Sequence, residues 1–346
     1  MQPLAGIKVV EFEGIGPAPY CGMLLADLGA EVTRIARPSA ARGDLISDTG
    51  DRVMQRGKGQ VVLDLKSDPG REAALAMLAG ADALIEGLRP GAMEKLGLGP
   101  EAVHGVAPAL TYLRITGWGQ TGPLAKTAGH DINYIALSGA LAAIGPAEGP
   151  PLPPLNLVGD FGGGGLYGAF GLLAGVLEAQ RTGRGSVIDA AMVDGAASQM
   201  AFLYAWAASG VWGPARQSNL LDGGAPFYRC YTCACGGHVA VGALEPQFFA
   251  AMMAGLGLAD EGWVQGNRAR WPALTARLGE VFASQTRDHW AAHFAATDAC
   301  VTPVLSMWEA DRHPHNAARG TFSGAPTQPA AGPRFHASVK IDTDSA

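Results

Sequence analysis

The sequence predicts an α/β protein whose larger part is a doubly wound, mostly parallel, Rossmann-like sheet, joined to a smaller α+β domain. Short β-branched runs alternate with helical patterns over the first ~120 residues, and glycine- or proline-rich turns mark the junctions. A chain of 346 residues with 48% hydrophobic content also has core enough for two structural units.

The elements follow in order. Ile7 to Phe12 is a β-branched run that gives way to the turn Gly14-Ile15-Gly16-Pro17, and Met23, Leu24, Leu25 and Leu28 then mark a helix ending at Gly29. Glu31 to Ile35 resumes as a strand, completing one β-α-β unit. Val61 to Leu65 is the next strand, followed by a helix from Asp68-Pro69 through Leu78, a strand at Ala83 to Glu86, a proline-started helix near Pro100 and a strand at Leu110 to Ile115. In such sheets ligands bind outside the carboxyl ends of the strands. Those ends carry Gly14 to Gly16, Arg37-Pro38, Glu86 to Arg89 and Thr116 to Gln120. The cations at that rim are Arg37, Arg56, Lys58 and Arg89, a set able to neutralise a ligand bearing several phosphates. The first turn resembles a dinucleotide fingerprint in part, but Pro19 stands at its third glycine and Arg37 replaces the acidic residue, which argues against a nicotinamide or flavin dinucleotide.

The stretch from Gly129 to Gly165 holds two potential proton carriers. His130 sits near the start of an apolar helical pattern, and Asp160 sits just before the glycines Gly162 to Gly165, which open a second helix. Ile144 to Leu155, between them, reads as a loop able to fold the two groups together. The plainer alternative is an acid-capped helix start and an ordinary glycine turn. A helix from Leu166 to Ala179, a strand at Ser186 to Ala191 and one long apolar helix from Met192 to Val211 follow. An irregular linker at Pro214 to Gly224 leads to a hairpin turning at Gly236-Gly237, then to helices at Pro246 to Leu256, Trp271 to Ser284 and Asp288 to Ala296. The expected organisation is a large α/β domain over 1–190, the long helix and linker over 191–224, a small α+β domain over 225–307, and a return linker with the C-terminal part of the large domain over 308–346. The end, from Ser338 on, is polar and expected to fray.

Composition excludes several classes of function. Net charge is −6 with both signs interspersed, so no basic stripe serves nucleic acid and no polybasic patch marks a membrane surface. No run reaches the roughly 20 apolar residues of a spanning helix, and a soluble, cytoplasmic protein is expected. Five cysteines argue against a disulfide framework. Cys230, Cys233 and Cys235 lack a second pair at zinc spacing and read as a strand entering the hairpin, with no metal expected.

With these residues laid out, the chain resembles the α-methylacyl-CoA racemases of the family III CoA-transferase (CaiB/BaiF-like) superfamily. The motifs that carry the likeness are Ala26-Asp27-Leu28-Gly29-Ala30-Glu31-Val32, Arg56-Gly57-Lys58, Thr116-Gly117-Trp118-Gly119-Gln120, Gly129-His130-Asp131-Ile132-Asn133-Tyr134, Asn156-Leu157-Val158-Gly159-Asp160-Phe161 and Glu245-Pro246-Gln247-Phe248. The resemblance implies His130 and Asp160 as the acid/base pair and Glu245 as the group that hydrogen-bonds the histidine. It implies contacts to CoA or substrate from Arg37, Arg56, Gly57, Lys58, Arg89, Gly129, Asp131 and Tyr134, and an interlaced homodimer. The acyl-CoA thioester is then the substrate, and no cofactor is expected. The same superfamily offers a rival chemistry, CoA transfer with Asp160 as an acyl-accepting nucleophile; His130 is the residue that a two-base racemase needs and a transferase does not. Family members commonly finish with a terminal helix, a pattern that Ile341 to Ala346 do not carry.

Overall fold

The computed structural model describes residues 1–38 and 51–336, with Asp51 by its backbone alone. The expectations for the polar end from Ser338 on, and for a terminal helix, lie outside the described residues. The chain divides into two compact units, one made of Met1–Ala140, Pro154–Met200 and the residues from Gly324 on, the other of Leu141–Pro153 and Ala201–Ser323.

In the first unit, strands β1 (Lys8–Phe12), β2 (Glu31–Ala36), β3 (Gly59–Val62), β4 (Ala83–Glu86), β5 (Thr111–Thr116) and β6 (Ser186–Ala191) form one six-stranded sheet in the order 3-2-1-4-5-6. Every adjacent pair is parallel. Such a sheet is covered on both faces, and successive side chains of β1 show it. Val9 packs with Val32, Ile85 and Leu113 under helices α1 (Pro17–Asp27) and α5 (Tyr167–Thr182), through Ala18, Leu25, Leu172 and Val176. Val10 and Phe12 face the other way, packing with Leu84 and Tyr112 under α2 (Asp68–Leu78) and α3 (Pro100–Val106), through Ala74, Leu78 and Val103. Proline opens α1 and α3, where its missing N–H costs nothing. The Ser67 hydroxyl caps α2 by accepting from the Gly70 amide at 3.2 Å.

Two expectations are corrected around the glycine run. Residues Leu157–Leu166 form a π-helix, so Asp160 lies inside the first turn of a helix that starts earlier than its glycines. Those glycines serve packing. A Cβ on Gly163 would meet the Ala196 amide at 2.8 Å, and one on Gly164 would meet the Pro17 side chain at 2.8 Å. The long helix expected over Met192 to Val211 is two, α6 (Met192–Gln199) and α7 (Ala201–Ala208). The Gln199 amide anchors the end of α6 to the Val158 carbonyl at 3.0 Å, and the Met200 N–H bonds the Ala197 carbonyl, tightening the last turn where the chain passes between units. Asp131–Leu137 is α4.

The second unit has an antiparallel sheet of β7 (Tyr228–Thr232), β8 (His238–Gly242) and β9 (Val301–Pro303). The hairpin turns at Gly236 with φ +77°, a conformation glycine adopts freely. Helices α8 (Pro246–Gly255), α9 (Trp271–Phe282) and α10 (Arg287–Phe294) close over the sheet on a core of Phe227, Phe249, Trp271, Leu278, Phe282 and Trp290. Cys233 is buried, and Cys230 and Cys235 are exposed free thiols. Among the described residues, no helix is long and apolar enough to cross a membrane.

Candidate active site

The strand order reverses between β1 and β4, and a cavity of about 400 Å³ opens at that switch point. Its walls come from the turns after β1, β4 and β5 and from Met192 after β6, with Gly129, His130, Tyr134 and Asp160 completing it.

Each side chain is held there by identifiable contacts. His130 is the extended residue before α4 (φ −134°, ψ 173°), and its amide donates to the Asn133 side chain at 3.0 Å. Asp160 is half-buried; the Asn156 amide donates to its Oδ2 at 3.1 Å, and its own N–H donates to Asp131 Oδ2 at 2.7 Å. Burial pushes the Asp160 carboxyl above the usual range, the nearby Asp131 charge adds to this, and the Asn156 hydrogen bond and His130 offset only part of it. Gly16, at φ +68°, passes close to this carboxylate: a Cβ there would lie 3.5 Å from Oδ2.

Tyr134 is buried, its hydroxyl donates to the Gly129 carbonyl, and its ring meets Trp118 edge-on at 4.8 Å. Burial, with the charges of Asp160 and Asp131, pushes its phenol up to about 12, so it remains a proton donor. A side chain on Gly117 would overlap the Tyr134 ring, and one on Gly129 would meet it at 2.8 Å. Both glycines are therefore required by close packing.

The four cations expected at the rim do not share one fate. Arg89 is exposed and lines the cavity. A buried ion pair supports its turn: Glu86 Oε2 accepts from the Leu88 amide at 2.7 Å, and Oε1 accepts from Arg114 at 2.8 Å. Arg37, Arg56 and Lys58 do not line the cavity. Arg37 remains largely exposed but pairs with Glu13 at 3.2 Å. Burial pushes Glu13 up, yet the hydrogen bonds from Arg37 and the charges of Arg34 and Arg37 outweigh it and hold the carboxyl below its ordinary range. Arg56 grips Asp27 with two nitrogens at 2.8 and 2.5 Å and donates to the Pro329 carbonyl at 2.6 Å. Lys58 corrects the expectation most sharply. Its side chain is 1% exposed and its ammonium donates to Glu11 at 2.6 Å and to the Pro19 carbonyl at 2.8 Å, so its charge is spent inside the fold. Gly57, at φ +73°, makes the turn that delivers it. Asp131, expected to face substrate, is buried behind the cavity wall.

Glu245 belongs to the second unit, where it is the exposed residue preceding α8. Sequence reasoning did not single out Asn156 or Met192. Asn156 lies within a quoted motif, and Met192 follows β6, so extending the carboxyl-end rule to the sixth strand finds it. No group of three or more His, Cys, Asp or Glu side chains among the described residues is placed to hold a metal.

The chain is 48% identical over 320 residues to alpha-methylacyl-CoA racemase of Mus musculus, covering 92% of this chain and 82% of that protein. The Homo sapiens protein of the same name is 46% identical over 320 residues, with the same coverage. Acetyl-CoA:oxalate CoA-transferase of Acetobacter aceti is 31% identical over 335 residues, covering 92% of this chain and 84% of the other. Among solved structures, a CaiB/BaiF family protein from Brucella suis superposes with a TM-score of 0.81 at 27% identity, over 96% of this chain and 93% of that one. Residues 4–344 match CoA-transferase family III, and the chain belongs to that family.

Proposed function

We propose that this protein inverts the α-carbon stereocentre of 2-methylacyl-CoA thioesters by 1,1-proton transfer through an enolate, with His130 and Asp160 as the two bases. The observation that carries the reading is that one cavity is lined by an imidazole, a carboxyl group and the Arg89 cation, in a chain nearly half identical to two alpha-methylacyl-CoA racemases. A thioester α-hydrogen is weakly acidic, so its removal needs a positioned base and a proton donor ready on the other face. His130 takes the proton in one direction while Asp160, whose carboxyl is pushed up by burial, returns one; in the other direction the roles exchange. Removal and return of a proton changes no oxidation state, so the chemistry calls for no redox partner. Arg89 is assigned to the phosphate-bearing end of CoA, with Arg37 and Arg56 as further basic groups of the same unit. The motif match assigns Glu245 to orienting the imidazole. A homodimer completes the reading, supported by Phe170 and Leu177, which stand 73% and 62% exposed seven residues apart on α5, and a cytoplasmic location is part of the same proposal.

CoA transfer, as the relative from Acetobacter aceti is named for, would use Asp160 as a nucleophile. Burial raises the proton affinity of Asp160, so a larger fraction of it carries the proton that racemisation must return and a smaller fraction is the carboxylate that transfer needs. The test is incubation of one 2-methylacyl-CoA enantiomer in heavy water, following inversion and label at the α-carbon. His130→Ala and Asp160→Ala should both abolish inversion while each retains exchange on a single, opposite enantiomer. Exchange lost on the same enantiomer in both variants refutes the division of labour; an acyl adduct trapped on Asp160 moves the reading to the transferase.

A further inference from the structure

Asp131 is not accounted for by contact with substrate. Its side chain is buried, with 6% of the residue exposed. Oδ2 reaches across 29 positions in sequence to accept the Asp160 N–H at 2.7 Å, while the enclosed Oδ1 has no hydrogen-bond partner among the described residues. Burying an acid with half its hydrogen-bonding capacity unused costs free energy, and such a group persists where something else depends on it. The surroundings are shaped to admit it: a Cβ on Gly159 would stand 2.5 Å from Oδ2, so the residue before Asp160 has to be glycine. An ordinary helix-start acid would instead satisfy the first amides of its own helix.

We propose, resting on the two-base reading above, that Asp131 is the positioning residue of this site, tying the segment that carries Asp160 to the helix that begins beside His130. Asp131 follows His130 directly in the chain, so one short rigid link joins the backbones of the two bases. The link has an electrostatic side. Burial is the main force raising the proton affinity of Asp160, and Asp131 is the neighbouring charge that adds to it. His130, from the same helix start, and the Asn156 amide pull the other way. Of the other elements around Asp160, the turn after β4 brings Arg89 to the cavity and α4 brings Tyr134, while α1 presents Pro17 and Tyr20, and α6 presents Met192, to the glycines after it. Asp131 thus holds the backbone that carries the Asp160 carboxyl and adds to its proton affinity.

The test uses the full chain with Asp131→Asn and Asp131→Ala. Asparagine still offers an oxygen to the Asp160 N–H but carries no charge; alanine offers neither. Asp160 is followed by 13C NMR of its carboxyl, identified by the signal lost in Asp160→Asn. Removing a negative neighbour eases ionisation, so in Asp131→Asn the Asp160 titration midpoint falls, and the limb of the kcat profile that reports it moves to lower pH. Asp131→Ala adds displacement of the base, and kcat drops about 100-fold with KM near the parent value, whereas Asp131→Asn recovers most of kcat. An unmoved midpoint in Asp131→Asn, or parent kcat in Asp131→Ala, overturns the proposal. If Asp131→Ala does not fold, the titration of the asparagine variant decides alone. Failure of the racemase reading shows instead in the parent protein, as absent inversion and exchange, while the NMR titration still reports on Asp131.

Discussion

Lys58 separates a structural role from a binding role by measurement. Its ammonium is 2.6 Å from Glu11, and the two side chains are 1% and 0% exposed. Gly22 of α1 leaves the space they occupy, since a side chain there would overlap the Glu11 carboxylate. Lys58→Met keeps the stem and removes the charge, leaving a buried carboxylate without its ammonium and the Pro19 carbonyl without this donor. Breaking a buried pair from one side costs about 3–5 kcal/mol. At about 2–4 °C per kcal/mol for domains of 150–250 residues, the melting temperature should drop by about 6–20 °C. The double change Glu11→Leu with Lys58→Met removes both charges and should recover most of that loss, a coupling that a double-mutant cycle reads directly. Calorimetric titration with an acyl-CoA, below the lowered melting temperature, should give the parent affinity. A melting temperature within 1 °C of the parent together with a tenfold weaker acyl-CoA affinity would refute the reasoning and return Lys58 to the ligand.

Two further outcomes follow from the same geometry. Gly117→Ala drives a methyl group into the Tyr134 ring, which Trp118 and the Gly129 carbonyl hold in place, and should cost about 1–3 kcal/mol by overpacking; an unchanged denaturant midpoint with parent activity would show that the ring yields. Arg89→Ala should weaken acyl-CoA binding about tenfold and flatten its salt dependence, because an exposed cation acting on phosphate is screened by salt; affinity and salt slope equal to the parent's would remove Arg89 from the site.

The alternation of strands and helices was legible in the chain, as were the two side chains His130 and Asp160 that line one cavity, because each depends on local signals. A β-branched run, a proline at a helix start or a glycine turn acts within a few residues, and strand ends in a parallel sheet converge by topology alone. His130 and Asp160 were found because short motifs flank them. The partners of Lys58 were not legible. A lysine beside a strand end reads the same whether it faces solvent or an acid on the first strand, and only the packing of Gly22 against Glu11 closes that choice. Asp131 is the same case: its position at a helix start suits a cap or a ligand contact, and its use as the acceptor of Asp160 depends on an approach between residues 29 apart. The π-helix escaped because its register is set by glycine-to-backbone contacts with α1 and α6, and glycine carries no periodic signal of its own. What the sequence determined by itself was therefore the succession of strands and helices and the presence of His130, Asp160 and Arg89 at one end of the sheet. The tertiary structure decided which of their charges remain available to a ligand, because burial and pairing are properties of the neighbours that folding supplies.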